Sequence, residues 1–164
     1  MMPISILNFA GATIIGVGAT LTMDLWGLLS HRLFGISPAN YCLVGRWFCH
    51  MPEGRFFHQS IAKATQKHGE CFVGWLAHYL IGVAYAAAMV GLTSGAWLYY
   101  PTLWIAILFG LATLAFPFFI MQPSFGLGLA SSRSSNPTQA RLKSTLTHVA
   151  FGIGLYISAL IKDL

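Results

Sequence analysis

The sequence predicts an all-α integral membrane protein, a bundle of four transmembrane helices in a chain of 164 residues. Two observations carry this prediction. The chain contains four long apolar stretches, and its charged residues gather in two of the intervals between them. Only 8% of the residues are charged and 56% are hydrophobic, whereas about 25% of the residues in an ordinary soluble domain are charged. This composition excludes a soluble globular domain.

The four apolar stretches fall at about 4–29, 72–92, 101–121 and 144–161. At about 1.5 Å per residue, the first three are long enough to cross a hydrocarbon core of about 30 Å. The fourth stretch is short, and its helix is expected to begin near Ser144. We therefore expect a single membrane domain, 1–164, in which 30–70 and 124–143 are loops and 93–100 is a short turn.

The cations indicate the orientation of the chain in the membrane. Eight of the nine Lys and Arg residues lie in the first and third connections, and only Lys162 lies elsewhere. By the positive-inside rule, these two connections face the cytoplasm and both termini lie on the opposite side. The net charge of +5 reflects this topology and a lipid bilayer as partner, and does not indicate nucleic-acid binding.

The first connection, 30–70, is too long to be an empty tether. Between Arg55 and Lys67 its pattern predicts a helix, with Phe57 and Ile61 on one side and the lysines on another. This helix would lie on the inner leaflet with its basic face toward lipid phosphates, or would cap the bundle as an ordinary solvated helix.

The three cysteines lie at or near the expected cytoplasmic face: Cys42, Cys49 and Cys71. Thiols stay reduced in that compartment, so we expect no structural disulfide. Histidines lie close to these cysteines, but none of the spacings matches the paired Cys/His ligands of a zinc site. The sequence therefore leaves any metal or cofactor unassigned.

The most informative polar residues lie inside or at the end of the apolar stretches: Asp24, His78, Gln122 and His148. All four are expected in the cytoplasmic third of the bilayer, where ionisable side chains are costly and normally face the interior of the bundle. We expect Asp24, His78 and His148 to converge in one cytoplasm-facing cavity, with Gln122 and Tyr79 as weaker members. The alternative is that Asp24 only pairs with a histidine or arginine at a helix end and locks the helices together.

A weak internal repeat relates the two halves of the chain. His78-x-x-x-Gly82 in the second helix recurs as His148-x-x-x-Gly152 in the fourth. Two hairpins in the same orientation would be related by a pseudo-twofold axis along the membrane normal, as in several transporters, although glycine-rich helices also resemble one another by chance. Pro117 is expected to break the third helix, and broken helices often hold ions or polar substrates.

Five motifs spread over nearly the whole chain resemble an uncharacterised bacterial inner-membrane family, domain of unknown function 2938. They are Thr20-x-x-Met23-Asp24-x-Trp26, Gly45-Arg46-Trp47, Glu70-x-x-x-Gly74-Trp75-x-x-His78-Tyr79, a proline-glycine run from Pro117 to Ala130, and His148-x-x-Phe151-Gly152-x-Gly154-Leu155-Tyr156. The resemblance implies a small four-helix protein of the bacterial inner membrane, with both termini then on the periplasmic side. It implies no activity.

Three classes of function fit these residues. The first is a small transporter or permease, possibly a homo-oligomer, in which Asp24, His78 and His148 form a protonatable site. The second is a structural or accessory subunit whose buried polar residues specify helix packing. The third is a redox protein in which His78 and His148 ligate a haem iron or a metal. An enzyme is disfavoured, because the chain has neither a histidine-box cluster nor a nucleophile elbow.

Overall fold

The computed structural model describes residues 6–162, with side chains described from Phe9 onward. Every regular element in this part of the chain is helical, and helices account for 76% of the residues. The α-helices are α1 (Ile6–Phe34), α2 (Tyr41–His50), α3 (Glu70–Leu92), α4 (Ala96–Tyr99), α5 (Leu103–Ala112), α6 (Gln122–Ser124) and α7 (Pro137–Ile161). The all-α prediction is therefore confirmed for the described residues.

Four helical segments are long and apolar enough to cross a membrane: Phe9–Phe34, Glu70–Leu92, Leu103–Ser124 and Pro137–Ile161. They overlap the four predicted stretches, but α1 continues to Phe34 instead of ending at about 29, and α7 begins at Pro137 instead of near Ser144. The start of α7 is fixed by Asn136, whose Oδ1 accepts a hydrogen bond from the Gln139 N–H at 3.1 Å. An Asn cap followed by proline is a strong helix-start signal, and it lies outside the apolar stretch.

The third span is interrupted, as the proline pattern predicts. Helix α5 ends at Ala112, and a π-helical turn covers Pro117–Met121 before the single turn of α6. Pro117 has no N–H to donate, so the regular ladder of α-helical hydrogen bonds cannot pass through it. Turns of π-helix inside longer helices are frequent at functional sites.

The chain divides into two compact units by its internal contacts. Unit 1 comprises Met1–Pro38, Tyr79–Ala112 and Thr147–Leu164, and unit 2 comprises Ala39–His78 and Thr113–Leu146. Each unit is assembled from separated pieces of the sequence. Whether the chain behaves as the single membrane domain expected from its sequence stays a prediction.

Unit 1 packs its helices through small residues. Its core includes the fully buried side chains of Ile15, Met89 and Leu155. A Cβ atom added to Gly16 would lie 2.5 Å from the Cα atom of Val83, so the backbones of α1 and α3 touch at this point. Glycine contacts of this kind are how helices associate in lipid, where burial of apolar surface gives little driving force.

Unit 2 has a smaller core around Trp47, Ile61 and Phe125. Its two connecting segments are joined by backbone hydrogen bonds. The N–H of His58 donates to the Ser124 carbonyl at 2.9 Å, and the N–H of Ile61 donates to the Phe125 carbonyl at 3.1 Å. These bonds fix irregular backbone that neither segment could hold alone.

The prediction of a helix between Arg55 and Lys67 is wrong, and so are both roles expected for that helix. The only regular structure there is one 3₁₀ turn, Ile61–Lys63. A regular helix would need the N–H and carbonyl groups of this segment for its own hydrogen bonds. Here the carbonyl oxygens of Ile61, Ala62 and Ala64 accept hydrogen bonds from the Arg46 guanidinium instead.

Candidate functional site

Asp24 and Tyr79 form a polar contact inside the apolar spans. The Tyr79 hydroxyl on α3 donates a hydrogen bond to Oδ2 of Asp24 on α1, at 3.0 Å. Both residues belong to unit 1, and both lie within helices able to cross a membrane. A carboxylate at such a depth is costly unless it is paired. Two of the five predicted site residues are thus brought together.

A close crossing of α1 and α3 positions this pair. A Cβ atom on Gly82 would overlap Oγ1 of Thr20, whose hydroxyl in turn donates to the Gly16 carbonyl at 2.7 Å. Thr20 lies one turn before Asp24, and Gly82 lies about one turn after Tyr79. The crossing therefore sets the distance between the carboxylate and the hydroxyl.

His148, the third predicted site residue in unit 1, lies at the crossing of α5 and α7. A Cβ atom on Gly110 would be 2.5 Å from the His148 carbonyl oxygen and 2.9 Å from the Gly152 nitrogen. The helices of the second predicted hairpin thus meet through a glycine pair, as α1 and α3 do at Gly16 and Gly82.

The remaining predicted residues, His78 and Gln122, belong to unit 2. The His78 ring stacks on Tyr41, with ring centroids 3.9 Å apart. Gln122 is 6% exposed, its Nε2 donates to Oγ of Ser144 at 3.4 Å, and its Oε1 is buried without a hydrogen-bond partner. Convergence of all five residues, and ligation of haem or metal by His78 and His148, stay predictions.

Unit 2 contains a buried ion pair that the sequence did not reveal. The Arg46 guanidinium binds the Glu70 carboxylate in a bidentate manner, with Nε to Oε2 at 2.9 Å and Nη2 to Oε1 at 2.7 Å. The side chains are only 6% and 11% exposed. The hydrogen bonding of the Arg46 guanidinium to the Glu70 carboxylate raises the pKa of Arg46. The sequence shows Gly45-Arg46-Trp47 and Glu70-x-x-x-Gly74 as motifs, but the spacing between the two motifs does not indicate that Arg46 and Glu70 form an ion pair.

A buried histidine, His50, and a half-buried one, His58, lie between Arg46 and Glu70 in the sequence. His50 is 1% exposed, and its Nε2 lies 2.9 Å from the Thr65 carbonyl oxygen. Because a carbonyl can only accept, Nε2 carries the proton, and Nδ1 lies 3.3 Å from the Glu53 carboxylate. The His58 ring is 5.1 Å from that of His50. Burial, and then the charge of His50, lower the pKa of His58.

The carboxylate of Glu53 connects this histidine pair to the surface. Lys67 donates a hydrogen bond to it, and Nε of Arg55 lies 4.0 Å away. The hydrogen bond from Lys67 lowers the pKa of Glu53. No group of three or more His, Cys, Asp or Glu side chains able to hold a metal ion occurs within the described part of the chain.

The expectation of reduced cysteines is wrong for two of the three. Cys42 and Cys71 form a disulfide between α2 and α3, with their Cα atoms 3.9 Å apart, and Cys49 is free. The reason is the approach of the two helices: a Cβ atom on Gly45 would overlap the Glu70 carbonyl, and one on Gly74 would overlap the Tyr41 carbonyl. Each cysteine lies one turn before one of these glycines.

Together, four helices long and apolar enough to cross a membrane and an ionisable pair within them define the class of the molecule, an all-helical protein with polar groups inside membrane-length helices. The chain belongs to the family described as "Protein of unknown function (DUF2938)", whose sequence profile matches residues 13–162. The family expected from the motifs is thereby confirmed. Comparison with curated proteins and with solved structures finds no match.

Proposed function

We propose that the protein is a small proton-coupled transporter or permease in which Asp24, assisted by Tyr79, binds and releases the proton. The observation that carries this proposal is the hydrogen bond between the Tyr79 hydroxyl and the Asp24 carboxylate within two apolar spans. Ionisable residues at such positions commonly mark proton or ion pathways.

The chemistry of Asp24 and Tyr79 suits reversible binding of a proton. When Asp24 is charged, the Tyr79 hydroxyl stabilises it by a charge-assisted hydrogen bond. When Asp24 is protonated, the cost of holding a charge in an apolar environment disappears. Binding of a proton therefore changes how the α1 and α3 helices are held together, which is the kind of change that alternating access requires.

The broken third span supports the same proposal. Its π-helical turn leads directly into Gln122, whose buried Oε1 can accept a hydrogen bond from a polar solute. Interrupted helices with buried polar groups are typical of the substrate sites of secondary transporters.

The orientation proposed with this function follows from the cations. Eight of nine lie in the first and third connections, so these connections face the cytoplasm of a bacterial inner membrane and the termini face the periplasm. A fusion of alkaline phosphatase to the C-terminus should be active. Fluorescence of a cytoplasmic reporter at the same position would contradict the orientation.

Proton coupling can be tested in liposomes that enclose a pH-sensitive dye. Pools of amino acids, sugars, organic acids and inorganic ions are added outside, and a transported solute should acidify the interior. Asp24→Asn should abolish acidification, and Tyr79→Phe should slow it about tenfold or more, as expected for loss of one hydrogen bond to a charge. Tyr85→Phe on the same helix is the matched control and should leave the rate unchanged.

A structural role is the second candidate, because the pair lies beside the glycine crossing of α1 and α3. A structural lock predicts that Tyr79→Phe destabilises by about 1 to 3 kcal/mol and that Asp24→Leu/Tyr79→Phe recovers the loss. The transporter proposal fails if Asp24→Asn folds normally and still acidifies the liposomes at the wild-type rate.

A further inference from the structure

The crossing of α2 and α3 in unit 2 carries a repeated motif with a cysteine on each helix. Cys42-Leu43-Val44-Gly45 on α2 faces Cys71-Phe72-Val73-Gly74 on α3. Gly45 contacts Glu70 and Gly74 contacts Tyr41, so the helices run antiparallel and the two motifs are related by a local pseudo-twofold. The sulfur atoms of the two cysteines meet at this crossing and are bonded.

A second interaction, independent of the cysteines, also joins α2 to α3 at this crossing. Arg46 lies one turn after Cys42, Glu70 directly precedes Cys71, and the two form the buried bidentate ion pair. The ion pair and the glycine contacts hold α2 against α3 whether or not the disulfide is present. The disulfide can therefore open without separating the helices.

The pair also lies at the first turn of the α3 span, beside the cation-rich connection that precedes it. Cys71 is exposed and Cys42 is partly exposed. Unit 2 contains seven of the nine cations of the chain and only two of the four acids, Glu53 and Glu70. A surface with this charge attracts anionic small molecules. Glutathione is such a molecule, and it sets the thiol balance of the cytoplasm.

We propose that Cys42 and Cys71 are a reversible dithiol–disulfide couple that exchanges with a glutathione-type small disulfide. This inference rests on the orientation proposed above, since cytoplasmic disulfides in most organisms are transient and serve redox chemistry. The Cys71 thiolate attacks one sulfur of the small disulfide and releases one small thiol. The Cys42 thiolate then attacks the Cys71 sulfur and releases the second. Two protein thiols and one small disulfide thus become one protein disulfide and two small thiols, which keep the protons.

The couple can be measured by trapping thiols with a polyethylene-glycol maleimide after equilibration of membranes in glutathione buffers of varied ratio. With reduced glutathione in excess we expect three adducts, and with glutathione disulfide in excess one adduct, on Cys49. Cys49→Ser is the matched control, on the same helix, and should give two adducts and then none. In Cys42→Ser, Cys71 should accumulate as a mixed disulfide with glutathione.

Two results would overturn the inference. One is a pair that remains oxidised in every glutathione buffer, although dithiothreitol reduces it. The other is a pair that, once reduced, is not reoxidised by glutathione disulfide. Either result leaves the proton-transport measurement on Asp24 untouched, and the alkaline phosphatase fusion reads the orientation separately. Failure of the redox couple is therefore distinguishable from failure of the proposed function.

Discussion

The interactions that stabilise unit 1 internally differ from those that stabilise unit 2. Unit 1 contains only Arg32 and Lys162 among its cations, and its helices meet through glycine contacts. Unit 2 carries seven cations against two acids, a surplus equal to the chain's whole net charge of +5. An ion pair and a disulfide join its helices α2 and α3, and hydrogen bonds between loops fix its irregular segments.

The difference reflects two physical requirements, the association of apolar helices and the hydrogen bonding of irregular backbone. Helices in lipid gain little from burying apolar side chains, so close contact of small residues has to hold them. Irregular backbone needs a partner for every buried N–H and carbonyl group, and unit 2 supplies those partners from Arg46 and from a second segment. Loss of charge should therefore weaken unit 2 in particular, whereas glycine substitutions should weaken both units, since Gly45 and Gly74 also contact the facing backbone.

The largest effect is expected from removing one member of the buried ion pair. Arg46→Met leaves Glu70 buried without its counter-ion, which should lower the free energy of unfolding by about 3 to 5 kcal/mol. Arg46→Met/Glu70→Leu should recover only part of this loss, because the carbonyls of Ile61, Ala62 and Ala64 still lose their donor. Thermal and denaturant unfolding in detergent measures both variants.

Arg55→Met is the control for that series. The Arg55 side chain is 64% exposed and lies 4.0 Å from Glu53, so its removal should cost less than about 1 kcal/mol. Equal losses for Arg46→Met and Arg55→Met would mean that the buried pair does not hold unit 2 together.

Reduction of the disulfide should have the next largest effect. Cys42 and Cys71 are 29 residues apart, and a closed loop of that length is worth about 3.6 kcal/mol through the entropy of the unfolded chain. Dithiothreitol should lower the unfolding temperature of the wild type and of Cys49→Ser alike. It should leave Cys42→Ser unaffected, and a shift in that variant would assign the effect to something other than the disulfide.

Glycine substitution sharpens the comparison from the side of unit 1. Gly110→Ala places a methyl group 2.5 Å from the His148 carbonyl oxygen, and overpacking of this kind typically costs about 1 to 3 kcal/mol. Gly91→Ala on α3 is the control, because a Cβ atom there meets nothing within 4 Å. It should be neutral or gain up to about 1 kcal/mol of helix propensity.

The smallest expected effect is the acid sensitivity of unit 2. Burial lowers the pKa of His58 below its ordinary value of 6.5, so the unfolded chain binds this proton more readily than the folded one. The contribution of neutral His58 to stability is complete above pH 6.5 and is lost as the pH falls from there through the folded pKa. His58→Gln should flatten that part of the stability profile, while His68→Gln, at an exposed histidine, should leave it unchanged.

The features that the sequence predicted well are those that depend on composition over a helical length. All four spans, the break at Pro117 and the family followed from apolar runs, proline chemistry and local motifs. Asp24 and Tyr79 were both named because ionisable and hydroxyl groups stand out in an apolar helix.

The features that the sequence could not supply depend on which segments meet. Phe57, Ile61 and the lysines matched a helical period, but Arg46 competes for the carbonyls that this helix would have used. Arg46 and Glu70 are separated by 24 residues, and only the α2–α3 crossing pairs them. The repeated Cys-x-Val-Gly motif indicates that crossing. The expectation of reduced thiols in the cytoplasm argued against pairing the two cysteines.

The discontinuous make-up of unit 2 also sets an order of events during synthesis. Glu70 and Cys71 emerge within the same early stretch as their partners, so the ion pair and the disulfide can close while translation continues. The N–H groups of His58 and Ile61 must wait for Ser124 and Phe125. At about 5 to 20 residues per second, that delay amounts to roughly 3 to 13 seconds. During this interval the first connection lacks its hydrogen bonds to the later segment and is open to proteolysis. The contact between α2 and α3, formed early, limits how far it can unfold.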